Sequence, residues 1–185
     1  MPERVCPVWI GYLLASPIRK LLQNPNTIIR PYISEGMTVM DIGSAMGFFS
    51  IPMAKVVGKT GKVICVDVQQ KMLDVLVRKS IKAGVSGSME LRLCAFDSLC
   101  INDIDEKIDF VLASAVLHEV GDISNLFKEV YHALKKNGKM LIAEPKGHVD
   151  ENNFQKTLSF AREAGFIILN KPLISKSLTA LIGKK

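Results

Sequence analysis

One stretch near the start of the chain limits the possible folds more than any other. An apolar strand, predicted at 37–42, runs directly into a turn with glycines at 43 and 47, and a helix then extends to about residue 57. Gly43 allows a sharp turn where a Cβ would clash, and Gly47 allows the backbone to lie close to a ligand. Unpaired N–H groups at the helix N-terminus favour a polar or anionic ligand group there.

Asp67 adds to this pattern because it ends the second predicted strand, twenty residues after Gly47. In nucleotide-binding α/β folds, an acid at that place bonds the ribose hydroxyls. A glycine pair alone is weak evidence. A strand, a glycine turn, a helix and a strand-end acid in this order predict a nucleoside site.

Strands and helices alternate from residue 37 onward, which predicts an α/β fold with five strand–helix units and a closing strand pair. Strands as apolar as these are covered on both faces, as in a parallel sheet. Strands are predicted at 37–42, 62–67, 89–95, 108–113, 139–143, 166–169 and 177–182. Helices are predicted at 47–57 and 70–83, from a cap at Asp122 to the Asn137-Gly138 turn, and from a cap at Asp150 to Gly165.

The proline-rich residues 1–36 are predicted to form an N-terminal arm that packs on a single domain of residues 37–185. Ser16 and Asn24 are candidate caps of short helices in this arm. Trp9, the only tryptophan, either pins the arm to the core or covers the ligand pocket.

Composition narrows the class of protein. A chain of 185 residues suits one domain with a full core, and its net charge of +6 favours a solvated basic surface over a nucleic-acid site. The cysteines at 6, 65, 94 and 100 form no CxxC pair, so a metal site is not expected, and reduced thiols fit a cytoplasmic protein. The apolar stretch 8–15 is too short to span a membrane.

Polar residues follow the first four strands at the same predicted edge of the sheet. Ligands of parallel sheets bind past this edge. The four residues are Asp41, Asp67, Asp97 and Ser114.

From about residue 37 to the end, the sequence resembles the class I S-adenosylmethionine-dependent methyltransferases, including small microbial proteins with this domain alone. Residues 39–47, VMDIGSAMG, look like the first motif of that family, although Ala45 stands where the family commonly has glycine. The resemblance implies a Rossmann-like three-layer sandwich. Its mostly parallel seven-stranded sheet would have an antiparallel last strand, and a short N-terminal helical arm would precede it.

The resemblance also implies S-adenosylmethionine as cofactor and a role for each strand-end residue. Asp41 and the glycine loop would hold the methionine part, Asp67 the ribose diol and Val68 the adenine face. The segment at Asp97 would lie at the adenine amino group, and Ser114 would face the methionine and the substrate. The candidate cofactor-binding residues are Asp41, Gly43, Ser44, Ala45, Gly47, Asp67, Val68, Asp97, Ser98 and Ser114.

Methyl transfer is a direct displacement, so a general base is needed only when the acceptor must lose a proton. His118 is the candidate catalytic residue because it follows the fourth strand and titrates near neutrality. The alternative is that His118 only caps or packs beside the next helix. Glu119 and Glu144 are weaker candidates for the same role.

The expected activity is methyl transfer to a small-molecule acceptor, because no added recognition domain and no Asn/Asp-Pro-Pro-Tyr segment is seen. One alternative is a non-catalytic module of the same fold that binds S-adenosylmethionine or RNA. A nicotinamide-dependent oxidoreductase is less favoured, since its G-x-G-x-x-G needs glycines where Ala45 and Phe48 stand. The sequence does not set the oligomeric state.

Overall fold

The computed structural model describes residues 24–184; Cys6, Trp9 and the predicted helix near Ser16 lie outside them. The strands are β1 (Thr38–Ile42), β2 (Lys62–Asp67), β3 (Met89–Leu93), β4 (Ile108–Ser114), β5 (Leu134–Pro145), β6 (Ile167–Asn170) and β7 (Ser177–Gly183). The helices are α1 (Pro25–Ile29), α2 (Ser50–Val57), α3 (Gln70–Lys82), α4 (Ile123–Ala133) and α5 (Glu151–Glu163).

The strands form one seven-stranded sheet in the order β3–β2–β1–β4–β5–β7–β6. The five strands from β3 to β5 pair in parallel, and β7 runs antiparallel between β5 and β6. The predicted fold class is therefore confirmed, but only four of the five expected strand–helix units are present, because the described residues between β3 and β4 form no helix. The strand order reverses between β1 and β4, and a crevice for ligands opens past the carboxyl ends of strands at such a point.

Alternating residues of the central strands build two separate cores, one on each face of the sheet. Val39 lies in the core beneath α2 and α3, together with Leu76. Met40 lies in the opposite core with Phe127 of α4. This arrangement gives the three layers of the predicted sandwich, and it covers both faces of the parallel strands.

The helix starts agree with the predicted capping residues. The side chains of Asn24, Asp122 and Asp150 each accept a backbone N–H from the first turn of the helix that follows. Each cap satisfies a donor that has no partner inside its helix. The prediction of an arm at 1–36 stays a prediction, although Ile29 and Ile33 are buried in the core beneath α2.

Several predicted boundaries are wrong. The helix after Asp122 ends at Ala133, not at the Asn137-Gly138 turn, because the N–H groups of Glu106 and Lys107 bond its last carbonyls. Strand β5 then begins at Leu134 and includes an irregularity where Asn137 has a φ of 65°. Helix α2 begins at Ser50, after a turn, because the positive φ of Gly47 is incompatible with a helix.

Candidate cofactor and acceptor site

The turn after β1 is fastened to the end of β2. The N–H groups of Gly43 and Ser44 both donate to the carbonyl of Val66, at 2.9 and 3.0 Å. Gly43 has a φ of 70°, and a Cβ on it would lie 2.6 Å from the side chain of Val116 in the loop after β4. The two loops that flank the crevice are thus in contact, and glycine is required where they meet.

Position 47 requires glycine for a different reason from the expected close approach of the backbone to a ligand. Its φ is 84°, and a Cβ on it would lie 2.4 Å from a methyl group of Leu76 on α3. Glycine therefore allows the loop after β1 to pack against α3.

Asp67 joins the loops after β1 and β2. Its Oδ2 accepts the N–H of Ala45 at 2.8 Å, and its Oδ1 accepts the N–H of Gln69 at 2.9 Å. The carboxylate is 7% exposed, and this burial raises its pKa above the ordinary value, against the lowering effect of the backbone hydrogen bonds. Each carboxylate oxygen has a second lone pair, so both can still accept a hydroxyl from a ligand.

Two polar side chains lie buried at the start of the same loop. Asp41 is 2% exposed, and its Oδ2 accepts the hydroxyl of Ser50, the first residue of α2, at 2.5 Å. Ser44 is 3% exposed, and its Oγ has no hydrogen-bond partner among residues 24–184. A buried hydroxyl without a partner is rare in a folded protein, so this one fits a site that a polar ligand completes.

The three residues predicted to lie near the adenine are placed differently from one another. Val68 is 38% exposed and presents an apolar surface beside Asp67, as the prediction requires. Asp97 is exposed, and its carbonyl accepts the side-chain amide of Asn125. The hydroxyl of Ser98 donates to Glu129 at 2.7 Å, so this side chain ties the loop after β3 to α4.

The loop after β4 is held by a single buried acid. Ser114 ends β4, and Ala115 then takes a φ of 56° while its N–H donates to the carbonyl of Ala143 on β5. The N–H groups of Val116 and Leu117 donate to Oε1 of Glu144, at 3.0 and 3.1 Å.

The second oxygen of Glu144 contacts His118. Its Oε2 lies 2.5 Å from Nδ1 of the imidazole, and this hydrogen bond raises the pKa of His118 above its ordinary value, against partial burial, which lowers it. Nε2 lies 3.8 Å from Oε1 of Glu119. The ring of His148 stands edge-on to the ring of His118, with 5.4 Å between their centroids.

These groups line a pocket of about 490 Å³ past the ends of β4 and β5. The first turns of α5 complete its wall. The lining residues are His118, Glu119, Glu144, His148, Val149, Asn153 and Thr157. Thr157 is half-buried and belongs to this wall. Among residues 24–184, no three His, Cys, Asp or Glu side chains are grouped so that they hold a metal ion.

Three acid or hydroxyl partners are indicated weakly or not at all by the sequence. Glu144 ends an apolar strand just as Asp67 does, and this shared position is the signal that identifies it. Glu129 lies four residues after Asn125, so that both face the loop after β3 from one side of α4. Ser50 carries no signal in the sequence, because its role depends on where α2 begins.

A family model described as a methyltransferase domain matches residues 33–176. A demethylmenaquinone methyltransferase of Lactobacillus johnsonii is 35% identical over 112 residues, which are 60% of this chain and 45% of that protein. The ubiquinone/menaquinone biosynthesis C-methyltransferase UbiE of Haemophilus ducreyi is 30% identical over 112 residues, which are 60% of this chain and 42% of that protein. The match thus spans less than half the length of these curated relatives.

Among solved structures, an S-adenosylmethionine-dependent methyltransferase from Aquifex aeolicus has a TM-score of 0.84 at 22% identity. The superposition covers 97% of this chain and 98% of that chain. At this identity, the likeness shows the fold alone. In the part of the chain that the structure describes, no helix is both long and apolar enough to cross a membrane.

Proposed function

Because the chain belongs to the class I S-adenosylmethionine-dependent methyltransferases, we propose that it transfers the methyl group of that cofactor to a small-molecule acceptor. The observation that carries the proposal is the pocket of about 490 Å³ beside the loop after β4. Its volume lies in the range of small-ligand sites, and its wall combines titratable and amide side chains with an apolar valine. Two relatives are named for demethylmenaquinone and for ubiquinone or menaquinone biosynthesis, which supports a small-molecule acceptor.

On the cofactor side, we assign the ribose diol to Asp67 and the adenine face to Val68. Both oxygens of Asp67 already fix a backbone N–H, so the carboxylate is oriented before a ligand arrives. Ser44 and Asp41 would hold the polar methionine part, since the Ser44 hydroxyl needs a partner. Gly43, Ala45 and Gly47 shape the loop, and Ser98 would contribute its backbone because Glu129 binds its hydroxyl.

When bound, the cofactor supplies an electrophilic methyl group on a sulfonium centre. The chain then has to orient the acceptor and exclude water from the line of attack. The contact between Gly43 and Val116 joins the cofactor loop to the loop of His118, so the acceptor pocket adjoins the crevice at Ser114. His118 is the proposed catalytic residue because its imidazole lines the acceptor pocket.

The proposal is tested by binding and by turnover. Isothermal titration calorimetry should give micromolar-range affinity for S-adenosylmethionine and S-adenosylhomocysteine, and no heat with NADH. Incubation with methyl-labelled S-adenosylmethionine and a bacterial extract should then label the small-molecule fraction and leave the RNA fraction unlabelled. Binding without any labelled product would favour a non-catalytic module. Label in the RNA fraction would contradict a small-molecule acceptor and indicate RNA as the acceptor instead.

A further inference from the structure

Glu144 is a carboxylate whose hydrogen bonds are all internal to the protein. Oε1 accepts two backbone N–H groups of the loop after β4, and Oε2 faces Nδ1 of His118. Glu144 lines the pocket but is only 2% exposed, and its oxygens are engaged by groups of the protein. Both oxygens of Glu144 are thus directed at nitrogen groups of the loop after β4, two at Oε1 and one at Oε2.

The carboxylate determines which nitrogen of His118 carries the hydrogen. An ionised carboxylate only accepts hydrogen bonds, so Nδ1 must donate to Oε2. In the neutral ring, Nε2 then keeps its lone pair. It lies 3.8 Å from Glu119, beyond hydrogen-bond distance, and the ring lines the pocket. An imidazole held in this tautomer is prepared to accept a proton at Nε2.

We propose that Glu144 is a positioning residue for His118, and that His118 removes a proton from an acceptor that must lose one to become a nucleophile at oxygen or carbon. Phenols, hydroquinones and enols are the chemical class that fits. This inference rests on the proposed function, because it requires that methyl transfer takes place at this pocket.

The acceptor's O–H bond breaks, and its proton goes to Nε2 of His118, where an N–H bond forms. The electron pair left on oxygen or carbon forms the bond to the methyl carbon, and the pair of the broken sulfur–carbon bond stays on sulfur. The proton later leaves from the imidazolium to solvent, so no oxidant, reductant or further reactant is needed.

The charged and titratable groups around His118 set the direction of the pH dependence. Glu144 and Glu119 both favour the protonated ring, and the edge of His148 is the other titratable group packed against it. Because the neutral ring is the base, turnover should rise with pH through a pKa above the ordinary value of about 6.5.

Glu144→Gln is the sharpest variant, because glutamine keeps an oxygen for the two backbone donors while its amide group faces Nδ1. An N–H donor at that place makes Nδ1 the acceptor, moves the hydrogen to Nε2 and removes the proton-accepting lone pair. Turnover should fall about 10- to 100-fold, with cofactor affinity unchanged. Glu151→Gln makes the same chemical change at an exposed position of α5 and should behave as the parent.

The first measurement needs no acceptor. NMR titration of the histidine ring protons in the S-adenosylhomocysteine complex should give a raised pKa for His118, which Glu144→Gln lowers and Glu151→Gln leaves in place. Assignment by loss of the signal in His118→Ala identifies the ring. An unchanged pKa in a folded Glu144→Gln variant would overturn the pairing.

The second measurement tests the acceptor class with methyl-labelled S-adenosylmethionine. The proton-bearing probes are catechol and 1,4-dihydroxynaphthalene, and the probe whose nucleophilic nitrogen carries no dissociable proton at neutral pH is nicotinate. Label should enter the first pair or proton-bearing compounds of the extract. His118→Ala should reduce that transfer on the order of 100-fold.

The outcomes separate the two proposals. Absence of cofactor binding and of any labelled product defeats the proposed function and this inference together. Transfer to nicotinate alone, or full turnover in His118→Ala, overturns the proton-accepting pair and leaves the methyltransferase proposal standing. A turnover loss in Glu144→Gln without the shift in the pH profile would reduce Glu144 to a loop clamp, contrary to the inference.

Discussion

The two halves of the crevice each contain a buried acid at the end of a strand, and the two acids are used differently. Asp67 follows β2 and accepts one backbone N–H at each oxygen, which leaves capacity for two ligand hydroxyls. Glu144 near the end of β5 accepts two backbone N–H groups and an imidazole. The first acid is oriented by the backbone toward a ligand, and the second is directed inward to orient another side chain.

This difference separates binding from turnover. Substitutions in the loops after β1 and β2 should change cofactor affinity, and those in the loop after β4 should change the chemical step. The close contact of Gly43 with Val116 is the place where the two halves meet. Binding and turnover of variants on each side therefore measure how independent the halves are.

The largest expected effect is that of Asp67→Ala on cofactor affinity. A carboxylate that accepts two ribose hydroxyls makes charge-assisted hydrogen bonds, and their loss should cost on the order of 2–3 kcal/mol. Calorimetry should show roughly 30- to 150-fold weaker binding of S-adenosylmethionine. The NMR pKa of His118 should not change, because Asp67 belongs to the other half.

Asp74→Ala is the matched control, since this exposed acid on α3 bonds only to Gln70 among the described residues. It should bind the cofactor like the parent. Circular dichroism should confirm that Asp67→Ala is folded. A folded Asp67→Ala with parental affinity would remove Asp67 from the ribose site.

A smaller effect is expected from Ser44→Ala. The Ser44 hydroxyl has no partner among the described residues, so the variant loses only a hydrogen bond to the ligand, worth about 0.5–1.5 kcal/mol. Affinity for S-adenosylmethionine should fall about 2- to 13-fold. The free energy of unfolding without ligand should be equal or higher, because a buried polar group without a partner is removed. A loss of stability with unchanged affinity would show that the hydroxyl has a structural partner instead.

The same comparison explains how far the sequence can predict this molecule. The apolar strands and capped helices fix the sheet and its layers, because burial on both faces and end capping are local properties. Asp67 is predictable because a glycine turn precedes it at a known interval. Glu144 also ends an apolar strand, but its partners come from the loop after β4, and only the folded sheet brings that loop over it. The end of α4 likewise depends on distant groups, the backbone N–H donors of Glu106 and Lys107, and no local sequence pattern indicates them.

The hydrogen bond between His118 and Glu144 should also make stability depend on pH. Since the pKa of His118 is raised in the folded state, its contribution is fully present below the unfolded value of about 6.5. It is lost as the pH rises through the folded value. Urea unfolding should therefore show a larger stability difference between the parent and His118→Gln at pH 5.5 than at pH 8.5. An equal difference at both values would contradict a raised pKa.

The smallest effects concern the backbone of the two loops, which contain alanines in the left-handed region on opposite sides of the crevice. Ala45 has a φ of 45° and Ala115 a φ of 56°. This conformation destabilises a folded non-glycine residue by about 1–2 kcal/mol, and glycine removes that cost. Glycine also has more conformational freedom in the unfolded chain, which offsets about 0.5–1 kcal/mol of the gain. Ala45→Gly and Ala115→Gly should each raise the free energy of unfolding by roughly 0.5 kcal/mol.

Measuring both cofactor affinity and turnover for these two variants compares the loop after β1 directly with the loop after β4. The N–H of Ala45 is fixed by Asp67, and that of Ala115 by Ala143, so neither loop depends on the alanine Cβ for its position. Both variants should keep parental affinity and turnover. If Ala45→Gly instead weakens cofactor binding alone, or Ala115→Gly lowers turnover alone, the strained backbone holds each half ready for its own ligand. If either variant changes both quantities, the contact of Gly43 with Val116 couples the halves, and binding and chemistry are not separable in this fold.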